Sequence, residues 1–202
     1  MILYRPVELE ELCLVYRADM RAFPVLLPQQ PVFCAVLGEQ DATEVAQRLS
    51  TETMSRAGFV TRFSLDEPAA RDFERRIVDD ELELPAEELG ELNSRLTGNI
   101  QVIAAFFGEG YVGPMVEGLA LGGKTATEQF LTLLAGVGDS GFYVASNLHR
   151  SGVAVFANFF FWEQHDFTPE RIGPARRDRL LEDLKRVWAA GKPGSAPLGI
   201  AR

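Results

Sequence analysis

The sequence predicts an α+β protein: a mainly antiparallel or mixed sheet with flanking helices, completed by a C-terminal β-hairpin and a final helix. Three observations carry this expectation. Apolar residues recur at helical spacing near both ends, as Leu9, Leu12, Cys13 and Tyr16, and as Leu180, Leu181, Leu184, Val187 and Trp188. Between them, GFVTRFSL at 58–65 and NIQVIAAFF at 99–107 are rich in the β-branched and aromatic residues that suit a pleated surface. GVAVFANFFFW at 152–162 is a continuous apolar run, which suggests a strand covered on both faces.

The elements follow in order. Ile2 to Val7 is a short strand carrying the pair Tyr4-Arg5, and Val7 to Arg17 is an amphipathic helix with acidic residues opposite its apolar stripe. Phe23-Pro24 and Pro28 break that helix, because a residue before proline leaves the helical region. Pro31 to Leu37 is a second strand. Asp41 to Leu49 is a helix, with Asp41 as its cap and Glu44 three residues on. Gly58 to Leu65 is a strand, Glu67 to Arg75 a short helix and Ile77-Val78 a strand remnant.

The alternation of ELEL at 81–84 marks a half-buried strand. Pro85 opens the next helix at its first position, with acids in the first turn where the helix dipole favours them. Asn99 to Phe107 is the last strand of a first module, residues 1–107. Residues 108–123 are dense in glycine and form a linker or a long loop. A second module over 124–190 holds a helix from Thr127 to Leu134, the hairpin FYVASNL with GVAVFANFFFW, and the last helix from Pro174. The two modules are separate or share one core. Residues 191–202 are expected to be a flexible tail.

Composition narrows the function classes. Of 202 residues, 47% are hydrophobic, ample for a core, and the formal charge is −9. Nucleic acid and anionic membranes both select a Lys/Arg surface, so neither is expected as a partner. No apolar run approaches the ~20 residues of a spanning helix. The N-terminus lacks the basic and apolar regions of a signal peptide. Cys13 on a helical stripe and Cys34 in an apolar strand read as buried thiols in a reducing compartment, so a cytoplasmic location is expected.

The segments LYRPVELEEL, RAFP, QPVF, GFVTRF, ELELPAEELGELN and NIQVI place residues 1–105 in resemblance to a family of short bacterial proteins labelled for ADP-ribosylation and a crystallin. The order of elements resembles the compact ADP-ribosyltransferase fold. That resemblance implies NAD as cofactor, with Tyr4, Arg5 and a position at Cys34 holding it. It also implies Glu81 or Glu83, with Arg5, as catalytic residues. A late carboxylate would stabilise the positive charge that develops on the ribose as nicotinamide leaves. An arginine would hold the anionic pyrophosphate. This chain departs from the family at Cys34, where a tyrosine is usual, and at Glu83, where an aromatic is usual. It also lacks the Ser-Thr-Ser motif of the transferases. On the residues alone, the leading expectation is that Arg5 pairs with a carboxylate such as Glu81 to join two strands, with no catalysis.

GLALGGKT at 118–125 fits the phosphate-loop pattern, which assigns Gly118, Gly123, Lys124 and Thr125 to a phosphate. Thr125-Ala-Thr-Glu128 is also a helix capping box. Glu163, His165 and Asp166 cluster at the expected end of the apolar strand, where a polar exit into the Thr168 turn accounts for them without a metal. His149 falls in the expected hairpin turn. No metal site is assigned. The leading functional expectation is a non-catalytic protein-binding or regulatory module. A small NAD-handling enzyme of the ADP-ribosyltransferase type is the alternative, and nucleotide binding through GLALGGKT the second.

Overall fold

The computed structural model describes residues 1–24, 32–114, 121–136, 148, 151–191 and 196–201. The chain forms two compact units, Met1–Glu109 with Ile200–Arg202, and Gly110–Gly199. The architecture is α+β, as expected.

The first unit is built on a sheet of six strands: β1 (Ile2–Glu8), β2 (Val32–Val36), β3 (Ala57–Leu65), β4 (Ile77–Val78), β5 (Glu81–Pro85) and β6 (Leu96–Phe107). Their order is β4-β5-β2-β1-β3-β6, and every neighbouring pair is antiparallel. Side chains alternate between the two faces. One face carries Leu3, Arg5, Val7, Phe33, Ala35, Phe59, Thr61, Phe63, Leu82 and Leu84, all buried. Helix α1 (Leu9–Arg17) lies on this side, and the RAFP segment after it inserts Phe23 edge-on against Phe33 and Phe63, each at 5.0 Å between ring centres. The amide of Asn93 holds that segment by accepting from the Phe23 N–H at 2.8 Å and donating to its carbonyl at 2.9 Å.

The opposite face is covered by helix α2 (Glu39–Glu52), whose Ala42 and Ala46 pack on Val60, Tyr4 and Val36. The approach is close. A side chain at Gly58 would fall 2.0 Å from the Ala46 carbonyl oxygen, which explains the glycine that opens GFVTRF. Helix α3 (Glu67–Glu74) is capped by Asp66, which accepts from the Ala69 N–H at 2.7 Å. Helix α4 (Leu89–Ser94) buries Leu89 and Leu92.

The second unit contains helices α5 (Ala126–Gly136), α6 (Gly152–Gln164) and α7 (Pro174–Gly191). Helix α6 corrects the expected hairpin: GVAVFANFFFW is helical, not a strand. A run apolar on every side suits a wholly buried helix as well as a central strand, and its 13 residues exceed the usual strand length. Val155, Phe156, Phe159, Phe160 and Trp162 are all buried on it. The expected partner strand FYVASNL lies outside the described residues except for Leu148, which is buried and helical. Phe130 on α5 stacks on Phe167 at 4.1 Å, and Trp162 donates to the Ala126 carbonyl at 2.8 Å.

Smaller differences have local causes. Helix α2 begins two residues before Asp41, with Gly38 as its cap, so Asp41 sits within the first turn. Pro85 ends β5, and a short 3-10 turn at Ala86–Glu88 precedes α4. The expected flexible tail is anchored at its described residues. Ala196 and Leu198 are buried, and Trp188 donates to the Ala196 carbonyl at 2.9 Å. The Ala201 N–H reaches the Val102 carbonyl of β6 at 2.9 Å. Among the described residues, no helix is long and apolar enough to cross a membrane.

Candidate functional site

Strand alternation separates the residues expected to work together. Arg5 lies between Leu3 and Val7 on the buried face shared with Leu82 and Leu84. Tyr4 faces the other way. Its ladder partner is Val36, Val36 pairs with Glu81, and Cys34 pairs with Glu83. Directly opposed residues share a face, so Tyr4, Cys34, Glu81 and Glu83 lie on one side of the sheet and Arg5 on the other.

Arg5 is 7% exposed and fully engaged. Its Nε donates to Glu11 Oε1 at 2.7 Å and its Nη2 to Glu11 Oε2 at 3.2 Å, a bidentate pair. Its Nη1 donates to the Cys34 carbonyl at 2.5 Å, and the guanidinium lies 4.4 Å over the Phe33 ring. The carboxylate that pairs with Arg5 is therefore Glu11 of α1, not Glu81. The expected pairing of Arg5 with Glu81 or Glu83 across one cleft is not built by this sheet. Glu11 was within reach of sequence reasoning: the helix follows β1 directly, and an arginine in an otherwise apolar Leu3-x-Arg5-x-Val7 pattern needs a nearby carboxylate.

On the opposite face, Cys34, Glu81 and Glu83 converge. One ligand atom from each, the Cys34 Sγ and a carboxylate oxygen from each glutamate, lie within 4.8 Å of one another. Cys34 and Glu81 are half-buried and Glu83 is exposed. Burial pushes the Cys34 thiol up, and the negative charges of Glu81 and Glu83, with a hydrogen bond from the thiol to Glu81, push it further. Beside this cluster the face stays open: Val32, opposite Pro85, is 41% exposed, and Val78, opposite Glu81, is 69% exposed.

The other expected residues have mostly local roles. Gly118 lies outside the described residues, as does His149. Gly123 has a positive φ of 65°, and the Lys124 carbonyl accepts from Gln129 Nε2 at 2.9 Å. Thr125 and Glu128 form the capping box: the Glu128 carboxylate accepts from the Thr125 N–H at 2.8 Å, and the Thr125 Oγ1 accepts from the Glu128 N–H at 3.3 Å. A carboxylate thus occupies the N-terminus of α5, and these hydrogen bonds hold Glu128 below the usual carboxylate range. Asp166 accepts from the Thr168 N–H and hydroxyl, Glu163 pairs with Lys185 at 3.0 Å, and His165 stacks on Phe161. Those three side chains are held by separate partners.

Sequence reasoning missed a buried polar chain in the second unit. The Tyr111 hydroxyl donates to Asn158 Oδ1 at 2.8 Å, and Asn158 Nδ2 donates to Gln129 Oε1 at 3.0 Å. Gln129 Nε2 then reaches the carbonyls of Lys124 and Pro114. The lone Asn in an apolar run, at 158, was its signal. No family model, no curated protein and no solved structure matches the chain.

Proposed function

We propose that the chain is a non-catalytic protein-binding module that presents the open side of β2 and β5 to a basic partner. The observation that carries this reading is the strip of exposed Val32, Pro85 and Glu83, half-buried Glu81 and exposed Val78, where two acidic residues of β5 lie between apolar ends on one face of the sheet. Acidic residues between apolar ends give a Lys or Arg both a charge partner and apolar ground for its aliphatic stem. The formal charge of −9 favours a partner of opposite sign and a fast, salt-dependent encounter. The engagement of Arg5 by Glu11 supports a structural use of the arginine expected to hold a dinucleotide.

A photo-crosslinking side chain at Val78 tests the reading in cells. The expected product joins the strip to a Lys/Arg-rich segment of one protein, and Glu83→Lys abolishes it. Crosslinks that survive Glu83→Lys, or that scatter over many proteins, overturn it. A thermal-shift series with NAD, ADP-ribose, ATP and GTP is expected to leave the midpoint unchanged. A ligand present at 100 times its dissociation constant would add about 2.7 kcal/mol, and such a shift would restore a nucleotide function.

A further inference from the structure

We infer that Cys34, Glu81 and Glu83 form a three-ligand site for one divalent ion of the Zn2+ class, with solvent in the remaining position. The ligand atoms already lie within 4.8 Å of one another. Metal–ligand bonds of about 2.0–2.3 Å in a tetrahedron put ligand atoms about 3.5 Å apart, so closure needs movements of only about 1 Å. The glutamate side chains supply that by torsion. The backbone need not move, because β2 and β5 are paired at five consecutive positions from Val32–Pro85 to Val36–Glu81.

The donor set selects the ion. A thiolate is soft and disfavours Ca2+ and Mg2+, which take oxygen ligands. One sulfur with two carboxylate oxygens suits a borderline ion such as Zn2+ or Co2+. Charge points the same way. Two carboxylates and an ionisable thiol crowd one patch, and the cation acting on Cys34 is Arg5, which lies on the other face and is paired with Glu11. A divalent ion among the three ligand atoms would relieve that crowding of negative groups. The partner reading shares Glu81 and Glu83 with this site, and metal alone is the probe, so the titration reads the site whether or not a partner binds there.

The test is a titration of the reduced, full-length protein with Co2+ and then Zn2+. The expected result is one equivalent bound, with a sulfur-to-cobalt charge-transfer band in the near ultraviolet that Zn2+ bleaches. Cys34→Ser is expected to lose the band. Glu83→Gln, at an exposed position, keeps the fold and is expected to weaken binding at least tenfold. Cys13→Ala, altering the buried thiol of α1, is expected to leave the band intact. No band, a band that persists in Cys34→Ser, or unchanged affinity in Glu83→Gln overturns the assignment.

Discussion

Arg5 shows how one hydrogen-bonded pair decides what a residue is for. Its guanidinium and the Glu11 carboxylate are 9% and 15% exposed, so removing one leaves the other charged in a poorly solvated place. Glu11→Ala is expected to cost about 3–5 kcal/mol in urea unfolding, because a buried charge without its partner keeps its full desolvation penalty. Glu83→Gln, on the exposed face, is expected to stay within about 0.5 kcal/mol in the same measurement. Glu128 makes a second prediction, and its sign is fixed by the cap. Its folded pKa is lowered, so its contribution is complete above the unfolded value of about 4.3 and is lost as pH falls through the folded value. Glu128→Gln should therefore lower the thermal midpoint at pH 7, and the difference from the parent should shrink as pH falls below the unfolded value. The face of Arg5 was legible, since it alternates with Leu3 and Val7, and so was that of Glu81 and Glu83, which alternate with Leu82 and Leu84. Their separation follows from those two patterns. Cys34 could not be placed beside the two glutamates without the β2–β5 register, a long-range fact that no local pattern contains.

Individual elements carry strain where an aspartate stands in a left-handed position. Helix α1 ends in a Schellman arrangement: the Met20 N–H reaches the Val15 carbonyl and the Asp19 N–H the Tyr16 carbonyl, both at 3.0 Å. Asp19 occupies the site that usually takes glycine, with φ 55°. The β4–β5 hairpin turns through Asp79 and Asp80, with φ 51° and 63°, where Asn-Gly or Asp-Gly is preferred. Asp19→Gly and Asp80→Gly are each expected to raise stability by roughly 1 kcal/mol, read as a higher urea midpoint at unchanged slope. Elements with one apolar stripe, such as α1 and α7, or with clear alternation, such as β5, were legible because half of each faces water. Helix α6 was not. When Ala154, Phe156, Asn158 and Trp162 are all buried, no polar face is left to reveal the period.

The whole molecule divides after Glu109, and the six-strand sheet lies wholly within residues 1–109. The buried residues of the sheet, from Leu3 to Ala105, all belong to the first unit. A fragment of residues 1–109 is therefore expected to unfold cooperatively and to protect the amides of Phe59 and Thr61 from hydrogen exchange. Unprotected amides there would show that the sheet depends on residues beyond Glu109. The fragment lacks the Ala201 contact to Val102, so strand β6 is expected to be a more exposed edge and a site of self-association at high concentration.

The side chain of Gln129 accounts for one freedom of this chain. One amide nitrogen holds the carbonyls of Pro114 and Lys124, ten positions apart in sequence, and Asn158 fixes that amide from the other side. Both ends of the intervening segment are thus fastened to the helices whatever its length. Doubling such a segment would cost only about 0.6 kcal/mol in closure entropy. The clasp sets where the chain enters α5, by holding Pro114 beside Lys124 at the foot of that helix.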